Sequence, residues 1–387
     1  MSAELNVTEY SSEYYLVTMP KTEGNLTEQL AECLLLVSNQ INDGSVLLKQ
    51  VIFIDAADNE TFYHYQSLIL DYYRQSEYKK IPITIVAQPP ANGQLLCIES
   101  WISSEQNAQI EYKEYSSIPY IIYSTKFYTK LIVANIQHKQ IVSDIYQQSQ
   151  ESFKIVKAIL DIEDMKFSDI IRQWNYIENI TETTDGSQHY QMFNDVRSLF
   201  YDQDNFPNGY PAATGIGSAA GGLIIDFIAL KPLEGCKICS IKSPVQKDAH
   251  QYSKEVLAFG RKDDKLKETT PKFERAKAVS TSKLKIYISG TAAIIGQESQ
   301  ASDSAFLQTK LTIENIFSLV EKNNISEICT TSGFPKPSCF RVYIKNKKDA
   351  YSVKECFKSL MPDAKAVYVI ADVCRPELLI EIEGVCI

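Results

Sequence analysis

The order of predicted secondary structure occurs twice in this 387-residue chain, and an internal repeat constrains a fold more than any single element does. Near the N-terminus, a capped helix precedes the predicted elements 51–55 (strand), 65–73 (helix), 83–87 (strand) and 95–101 (strand). Near the C-terminus, the predicted elements are 303–321 (helix), 340–344 (strand), 349–360 (helix), 366–371 (strand) and a final strand from 378. Both series indicate one α+β unit present twice, unless the order recurs by coincidence among common α/β patterns.

Local signals support a helix at the start of each copy. The first helix is predicted to begin after Asn25, whose side chain can form a capping box with Glu28. Its apolar stripe is predicted to comprise Leu30, Leu34 and Val37. In the second copy, the residues predicted to share one helix face are Phe306, Ile313, Phe317 and Val320.

The final strand carries two carboxylates at alternate positions. Because side chains alternate between the two faces of a strand, Glu381 and Glu383 share one face, and Ile380 and Ile382 share the other. Two like charges so close together raise at least one pKa, and burial raises it further. A carboxylic acid kept protonated in this way can donate a proton near neutral pH. The alternative is a solvated face on an edge strand.

Aligning the two copies places Cys97 where Glu381 stands, so the N-terminal copy lacks the first carboxylate. Cys236 and Cys239 form a single CxxC without a partner pair at zinc-binding spacing, and the four histidines lie far apart in sequence. We therefore expect no metal site. The Gly-x-Gly at 215–217 precedes its strand, whereas a dinucleotide fingerprint follows one, and we expect no cofactor.

Composition excludes several classes of protein. The net charge of −9 argues against a nucleic-acid-binding surface. No stretch approaches the roughly 18 uncharged apolar residues that a membrane span needs. The first residues lack the basic start and apolar core of a signal peptide. Nine cysteines are scattered along the chain, and without an export signal we expect them to be reduced thiols in the cytoplasm.

Six motifs occur in one order along the chain. They are RQWNYI at 172–177, FNDVR at 193–197, YPAATGIG at 210–217, PKFERA at 271–276, ISGTA at 288–292 and DVCRPELLIEIEG at 372–384. The SG turn, the QT…ENI helix and the terminal I-E-I-E strand resemble the Rid/YjgF fold. Taken together, the six motifs resemble the chorismatases, a family built from Rid-like units.

The resemblance implies an α+β, Rid/YjgF-like (chorismate mutase-like) fold of mixed sheets packed with helices, in an internally repeated, pseudo-trimeric architecture. It predicts a degenerate Rid-like domain at 1–150 and a chorismatase-type catalytic region at 151–387 that ends in a Rid-like unit. Between the two recognised copies we expect a helical stretch at about 143–201. Rid units ordinarily trimerise, and fused copies could fill that arrangement internally, which predicts a monomer.

The resemblance also implies loss of pyruvate from chorismate, an enol ether with two carboxylates. Its cleavage needs a proton on the terminal methylene carbon, and therefore a general acid with a raised pKa in a dry site. Glu381 occupies the family's catalytic glutamate position. The aromatising branch of the family has a cysteine seven residues earlier, here Cys374, which favours 3-hydroxybenzoate as the product. The alternative for Cys374 is a small buried apolar residue.

For the substrate carboxylates, the resemblance implies Lys354, where the family places an arginine, and Arg375. A lysine lacks the bidentate geometry of arginine, and the alternative for Arg375 is an ordinary exposed residue at a strand end. The other predicted substrate-binding residues are Tyr210, Thr214, Gly215, Gly217, Gly290 and Thr291. The first four of these could instead belong to an ordinary turn before a strand at 223.

A second departure from the family pattern is Gln297, where the resemblance leads us to expect a histidine. Three functions therefore remain open. The first is formation of 3-hydroxybenzoate and pyruvate from chorismate, and the second is its hydrolysis to 3,4-dihydroxycyclohexa-1,5-diene carboxylate. The third, motivated by Lys354 and Gln297, is a Rid-like protein that binds another metabolite or hydrolyses imines.

Overall fold

The computed structural model describes residues 12–138, 144–253, 269–300, 303–326 and 334–387. Within these residues the strands form three main sheets, and each sheet belongs to one sequential unit of the chain. The units are the N-terminal unit (13–103), the middle unit (109–232) and the C-terminal unit (237–386). The prediction of an α+β fold with mixed sheets packed against helices is confirmed.

The N-terminal unit comprises β1 (Glu13–Thr18), α1 (Leu26–Ser38), β2 (Val46–Ile54), α2 (Asn59–Gln75), β3 (Ile83–Val86) and β4 (Leu96–Ser103). Its sheet has the strand order β1-β4-β2-β3, with β3 parallel to β2 and the other neighbours antiparallel. Helix α1 begins as predicted, since Asn25 and Glu28 form a capping box, and Leu30, Leu34 and Val37 are buried.

The middle unit comprises β5 (Gln109–Tyr115), β6 (Ile118–Ser124), β7 (Tyr128–Gln137), α3 (Ile145–Ile162), β8 (Ile170–Glu178), β9 (Thr183–Thr184), β10 (Ser187–Gln188), α4 (His189–Tyr201), β11 (Ala212–Ser218) and β12 (Leu223–Pro232). The main sheet has the order β11-β8-β12-β7-β6-β5, and β9 and β10 form a small hairpin. The glycine-rich segment is therefore strand β11, parallel to β8, and not a turn.

The C-terminal unit comprises β13 (Lys237–Ile241), β14 (Ala276–Ser280), β15 (Leu284–Thr291), β16 (Ile294–Ile295), β17 (Glu298–Ser299), α5 (Ala305–Val320), α6 (Lys322–Ile325), β18 (Pro337–Ile344), α7 (Ala350–Leu360), β19 (Lys365–Ile370) and β20 (Ile380–Cys386). Its sheet has the order β13-β14-β15-β20-β18-β19, and β16 pairs with β17. Strand β20 lies inside the sheet, so the edge-strand alternative is wrong.

The buried face of α5 differs from the predicted one. Phe306 and Phe317 are 44% and 39% exposed, whereas Ile313 is buried, as are Ile316 and Leu319. Two threonines share the buried face, and their hydroxyls donate to main-chain carbonyls one turn earlier in the helix. Because these hydroxyls are satisfied within the helix, threonine can face the core. A sequence pattern that counts threonine as polar therefore assigns the buried face of α5 to the wrong side of the helix.

The three units repeat one topology. Each unit contains a series of four neighbouring strands in which the first two pairings are antiparallel and the third is parallel. The series are β1-β4-β2-β3, β7-β12-β8-β11 and β15-β20-β18-β19. In every unit a long helix precedes the third strand of this series (α1, α3 or α5), and another helix follows it (α2, α4 or α7). The internal repeat is thus threefold, in agreement with the predicted pseudo-trimeric architecture, although the sequence showed only two copies.

The middle copy was missed because its strand β8 lies within the stretch 143–201 that was predicted to be helical. Residues 139–143, which include the start of the predicted helical stretch, lie outside the described residues. So do residues 1–11 of the predicted 1–150 domain. Position 150 falls inside α3, and a boundary there separates β7 from β12, with which it pairs along eight positions. The three main sheets begin and end near residues 105 and 235.

Equivalent carboxylates link the units. Glu99, Asp226 and Glu383 occupy matching positions, because they pair across their sheets with Val51, Trp174 and Arg341 at the same point of the repeat. Each carboxylate binds a cation from another unit. The buried pairs are Arg341–Glu99 (2.6 Å), Lys49–Asp226 (2.7 Å) and Arg172–Glu383. Removing one partner of such a pair is strongly destabilising, so this ring of ion pairs fixes how the units pack.

Candidate active site

Glu381 lies on the face of β20 that points away from the helices. Its neighbours Ile380 and Ile382 face the helical side of the sheet, where they join the cluster that includes Ile313 and Phe357. The Glu381 side chain therefore points toward the middle unit. Glu381 is only 5% exposed, and in the described part of the chain no hydrogen-bond partner of its carboxyl is found.

Burial raises the pKa of Glu381 to about 8, although Arg172 and Arg275 act in the opposite direction. The cause is removal from water, which disfavours the charged form of a carboxyl group. Glu381 is consequently a protonated acid near neutral pH. The sequence predicted a raised pKa at this strand from the pair of carboxylates, whereas in the structure burial is the main cause.

Glu383 has a different environment from Glu381, two residues away. Its carboxylate accepts hydrogen bonds from Arg172, Thr214, Trp174 (3.0 Å), Arg341 (3.2 Å) and Tyr343 (2.7 Å). A carboxylate with so many donors is held in its ionised form. The two glutamates therefore have separate roles: Glu383 anchors the strand to the middle unit, and Glu381 is available for proton donation.

Buried donors without partners lie beside this pair. Among the described residues, Nη1 of Arg172, Nε of Arg197 and Nδ2 of Asn194 are buried and have no hydrogen-bond partner. Arg197 is 2% exposed, and no carboxylate of the described residues forms an ion pair with it. A buried guanidinium without a counter-ion is costly. These groups are suited to bind an anionic ligand.

Tyr190 and Cys374 complete the surroundings of Glu381. Burial raises the pKa of Tyr190, and the charges of Cys374 and Glu381 add to the effect while Arg197 opposes it. Burial raises the pKa of Cys374 to about 12, with a further contribution from Glu381. Both groups are therefore protonated at neutral pH. The structure thus brings Cys374, as predicted from sequence, into the vicinity of Glu381.

Gly290, Thr214 and Gly215 form the floor of the site. The Gly290 N–H donates to Oγ1 of Thr214 (3.1 Å), which in turn binds Glu383. A β-carbon on Gly215 would stand 2.6 Å from the Tyr190 ring, so glycine allows that ring to lie against strand β11. These three predicted residues line the site through close packing, and the Gly290 N–H is already used within the protein.

Two other predicted residues are engaged elsewhere. The Gly217 N–H donates to the carbonyl of Asp372 (2.8 Å), and a β-carbon on Gly217 would lie 2.8 Å from that oxygen. The Thr291 hydroxyl donates to the carbonyl of Ser289 (2.9 Å). Through these bonds both residues hold strands in place next to the site.

The structure does not bring Lys354 to Glu381. Lys354 is exposed on α7, and its ammonium lies 5.8 Å from the centre of the Tyr368 ring. Tyr368 packs against Phe357 on the helical side of the sheet, opposite the face that carries Glu381. A helix that covers one face of a sheet cannot present a side chain to the other face.

Arg375 and Tyr210 lie at the edge of the site. The Arg375 guanidinium donates to the carbonyl of Gln297 (2.9 Å) and to Ser299 (3.0 Å). Gln297 itself binds the Ser253 side chain (2.9 Å). The Tyr210 ring packs on Tyr201, and its charge is among those that act on Arg197. Arg375 and Gln297 thus close one side of the site, and Tyr210 lies near its anion-binding part.

Sequence reasoning overlooked the arginines and Tyr190. Arg172, Arg197 and Arg275 are each contained in one of the six motifs, and all three are buried. An arginine inside an otherwise apolar or aromatic motif is a signal that could have identified them, because arginine is seldom fully buried unless it is paired. Lys354 was preferred because it stands where the family places an arginine, and a position in the sequence does not reveal which face of the sheet its helix covers.

Within the described ranges, no group of three or more His, Cys, Asp or Glu side chains is placed to hold a metal ion. No helix among the described residues is long and apolar enough to cross a membrane. The site combines a protonated carboxylic acid, neutral thiol and phenol groups, and buried guanidinium donors.

Residues 99–229 match the model of the family described as chorismatase FkbO/Hyg5-like, N-terminal. Over these residues the chain is similar to the chorismatase family. A crystal structure of a chorismatase superposes on 98% of this chain and 99% of its own, with a TM-score of 0.67 and 18% identity. That match shows that the chorismatase fold extends through all three units.

Two curated chorismatase-family proteins are similar in sequence. The 3-hydroxybenzoate synthase of Streptomyces hygroscopicus is 31% identical over 234 residues, which are 58% of this chain and 65% of that protein. A chorismatase of Streptomyces rapamycinicus is 28% identical over 227 residues, 57% of this chain and 64% of that protein. The matches therefore span slightly less than two thirds of these relatives.

Proposed function

We propose that this protein is a chorismatase-family enzyme that converts chorismate to pyruvate and 3-hydroxybenzoate. The observation that carries the proposal is the buried Glu381 carboxyl, whose raised pKa keeps it protonated near neutral pH, next to guanidinium donors without partners. An acid in this state is what protonation of an enol ether needs. The curated 3-hydroxybenzoate synthase, 31% identical, supports the choice of product.

The buried donors account for binding of a dicarboxylate. The free N–H groups of Arg172 and Arg197 are candidates for the carboxylates of chorismate, because charge-assisted hydrogen bonds in a dry site are strong. Arg275 acts electrostatically on Glu381, and its guanidinium is fixed by the carbonyl of Lys247 (2.6 Å) and by Tyr252 (2.5 Å). In this proposal the arginines take the role that the sequence assigned to Lys354.

The reaction begins when Glu381 transfers its proton to the terminal methylene carbon, which leaves an oxocarbenium ion. The new Glu381 carboxylate then faces that cation, and Arg172 and Arg275 stabilise the carboxylate. The ring hydroxyl adds to the cation and gives its proton to Glu381. Loss of the ring proton, with cleavage of the opposite carbon–oxygen bond, makes the ring aromatic, and the remaining hemiketal collapses to pyruvate and the phenol. The two products contain all the atoms of chorismate, so no water is consumed.

In this proposal Cys374 assists the aromatising step. Burial raises the pKa of its thiol to about 12, so it is not a thiolate before the reaction and cannot act as an independent base. A relay fits this state: Glu381, protonated again by the ring hydroxyl, gives its proton to the departing ring oxygen and then takes the thiol proton, while sulfur accepts the ring proton. The competing product, 3,4-dihydroxycyclohexa-1,5-diene carboxylate, forms when water adds to the cation instead. Because the thiol is neutral, a slow relay would give water more time to add, and more of this competing product would form.

The test is pyruvate release from chorismate by the purified chain in a coupled assay, with the ring product identified by chromatography. We expect release by the wild type and a loss of about 10³-fold in Glu381→Gln. Glu377→Gln is the matched control, because Glu377 is exposed. Equal rates of pyruvate release in wild type and Glu381→Gln would refute the role of Glu381 as the general acid. No release by a folded wild type would favour the Rid-like protein that acts on another metabolite.

A further inference from the structure

Three residues at matching positions of the units meet far from Glu381. Glu13 in β1 and Lys130 in β7 pair with Ser103 and Leu230, at the ends of β4 and of its counterpart β12. Lys285 in β15 directly precedes Ile286, which pairs with Cys386 at the end of β20. The repeat therefore brings one glutamate and two lysines together where the three units meet.

In this axial cluster of Glu13, Lys130 and Lys285, the first two side chains are buried and Lys285 is half-buried. Lys130 lies 2.6 Å from Glu13, and Lys285 binds the other oxygen of the same carboxylate. The ring of Trp101 packs against both ammonium groups, at 4.9 Å and 4.6 Å from its centre. Burial lowers the pKa of Lys285 to about 8, although Glu13 opposes this shift. A buried site that holds more cations than anions attracts a further anion.

A cavity of about 250 Å³ adjoins the axial cluster. Two further lysines line it, Lys126 and Lys283, and both are exposed at its mouth. Neither lysine forms an ion pair with a carboxylate of the described residues. The other acidic residue of the lining is Glu105, and apolar surface comes from Phe127 and Leu284. The cavity thus combines excess positive charge with an apolar wall.

The Tyr287 hydroxyl is a second and independent sign of a ligand. Tyr287 lines the cavity, is 1% exposed, and its hydroxyl is buried without a hydrogen-bond partner among the described residues. An unsatisfied buried hydroxyl is unfavourable, and a ligand atom that accepts a hydrogen bond from it would remove this cost. Burial raises the pKa of this phenol, so it is a donor.

We propose that this cavity is a binding site for a small organic carboxylate, separate from the site at Glu381. The carboxylate would lie near Lys283, Lys285 and the Tyr287 hydroxyl, and its apolar part would contact Phe127 and Leu284. Lys285 precedes Gly290, the neighbour of Glu381, by five residues of β15, which corresponds to roughly 16 Å along the strand. The proposal does not depend on the reaction at Glu381.

The test uses benzoate as the probe and Trp101 as the reporter. The chain contains two tryptophans, so in Trp174→Phe the fluorescence comes from Trp101, which touches Lys285. We expect a saturable change with benzoate, and about tenfold weaker binding when Lys126→Ala and Lys283→Ala are combined. The control is Lys154→Ala with Lys157→Ala, two exposed lysines of α3, which lose the same charge.

If Trp174→Phe does not fold, calorimetry on chains that retain Trp174 can measure the loss of benzoate affinity caused by Lys126→Ala with Lys283→Ala. No saturable response to millimolar benzoate, or equal affinity in the two lysine double variants, would overturn the proposal. Binding of inorganic phosphate without binding of benzoate would overturn the assignment to an organic carboxylate.

Discussion

Gly290 and Glu381 approach so closely that a β-carbon on residue 290 would overlap Oε1 of the Glu381 carboxyl. The same β-carbon would lie 3.2 Å from Cγ2 of Thr214, so it could not move aside into the middle unit. The SGT turn is therefore matched to the terminal strand: glycine provides the space in which the acid is buried.

Gly290→Ala is expected to displace the Glu381 carboxyl while the chain still folds. A displacement of about 1 Å at the reacting group can reduce the rate by about 100-fold, and we expect a loss of that size in kcat/KM for pyruvate release. Thr291→Ser is the control, because serine retains the hydroxyl that binds Ser289. An unchanged rate in Gly290→Ala would show that the position of this carboxyl is not critical.

The rate of pyruvate release is expected to fall at high pH. Glu381 must be protonated to act as an acid, and its pKa is about 8, so kcat/KM should be constant below that pH and fall about tenfold per pH unit above it. A pH–rate profile of the wild type measures the pH at which kcat/KM begins to fall. A fall that begins near the ordinary pKa of a glutamate would contradict this assignment.

Stability should also depend on pH through Glu381. The folded-state pKa of about 8 exceeds the ordinary glutamate value of 4.5, so the folded state binds the proton more tightly than the unfolded state. The resulting stability is fully present below about pH 4.5 and is lost as the pH rises through about 8. Urea unfolding at pH 6 and pH 9 should show a smaller decrease for Glu381→Gln than for the wild type.

Arg197→Gln is expected to raise KM for chorismate by about 100-fold, because it removes a buried cation without a protein counter-ion. Lys354→Ala should leave KM unchanged, since Lys354 is exposed on the opposite side of the sheet. Steady-state kinetics of the two variants compare these candidates directly. The reverse result would restore the role that the sequence suggested for Lys354.

Cys374→Ala is expected to shift the product ratio from 3-hydroxybenzoate toward the dihydroxycyclohexadiene carboxylate. The reason is that loss of the relay slows loss of the ring proton, while water can still add to the cation. Chromatography of the ring products, with total pyruvate as the reference, measures the ratio. A ratio equal to that of the wild type would remove Cys374 from the mechanism.

Much of the fold follows from patterns along the chain. Alternation placed Glu381 and Glu383 on one strand face, and the capping box located the start of α1, because both depend on nearby residues. The middle copy of the repeat was missed, since the buried aromatic and polar residues of β8 do not alternate clearly. The face of α5 was misplaced because threonines can satisfy their hydroxyls within the helix.

The candidate site was predicted in part. The motifs pointed to Glu381, Cys374 and Gly290, which the structure brings together with Thr214. The buried arginines were within the quoted motifs, but no rule on spacing shows that Arg172 and Arg197, which lie on a strand and a helix of the middle unit, face β20 of the C-terminal unit.

By itself, the sequence determined the repeated α+β unit and the two carboxylates on one face of the last strand, because these depend on periodicity and short-range geometry. Only the tertiary structure decided which carboxylate is the acid. Glu383 meets arginines from other strands and units and remains ionised, whereas Glu381 is buried without a hydrogen-bond partner among the described residues, and its pKa rises. That difference comes from the packing of units whose residues lie up to 211 positions apart, which no local pattern contains.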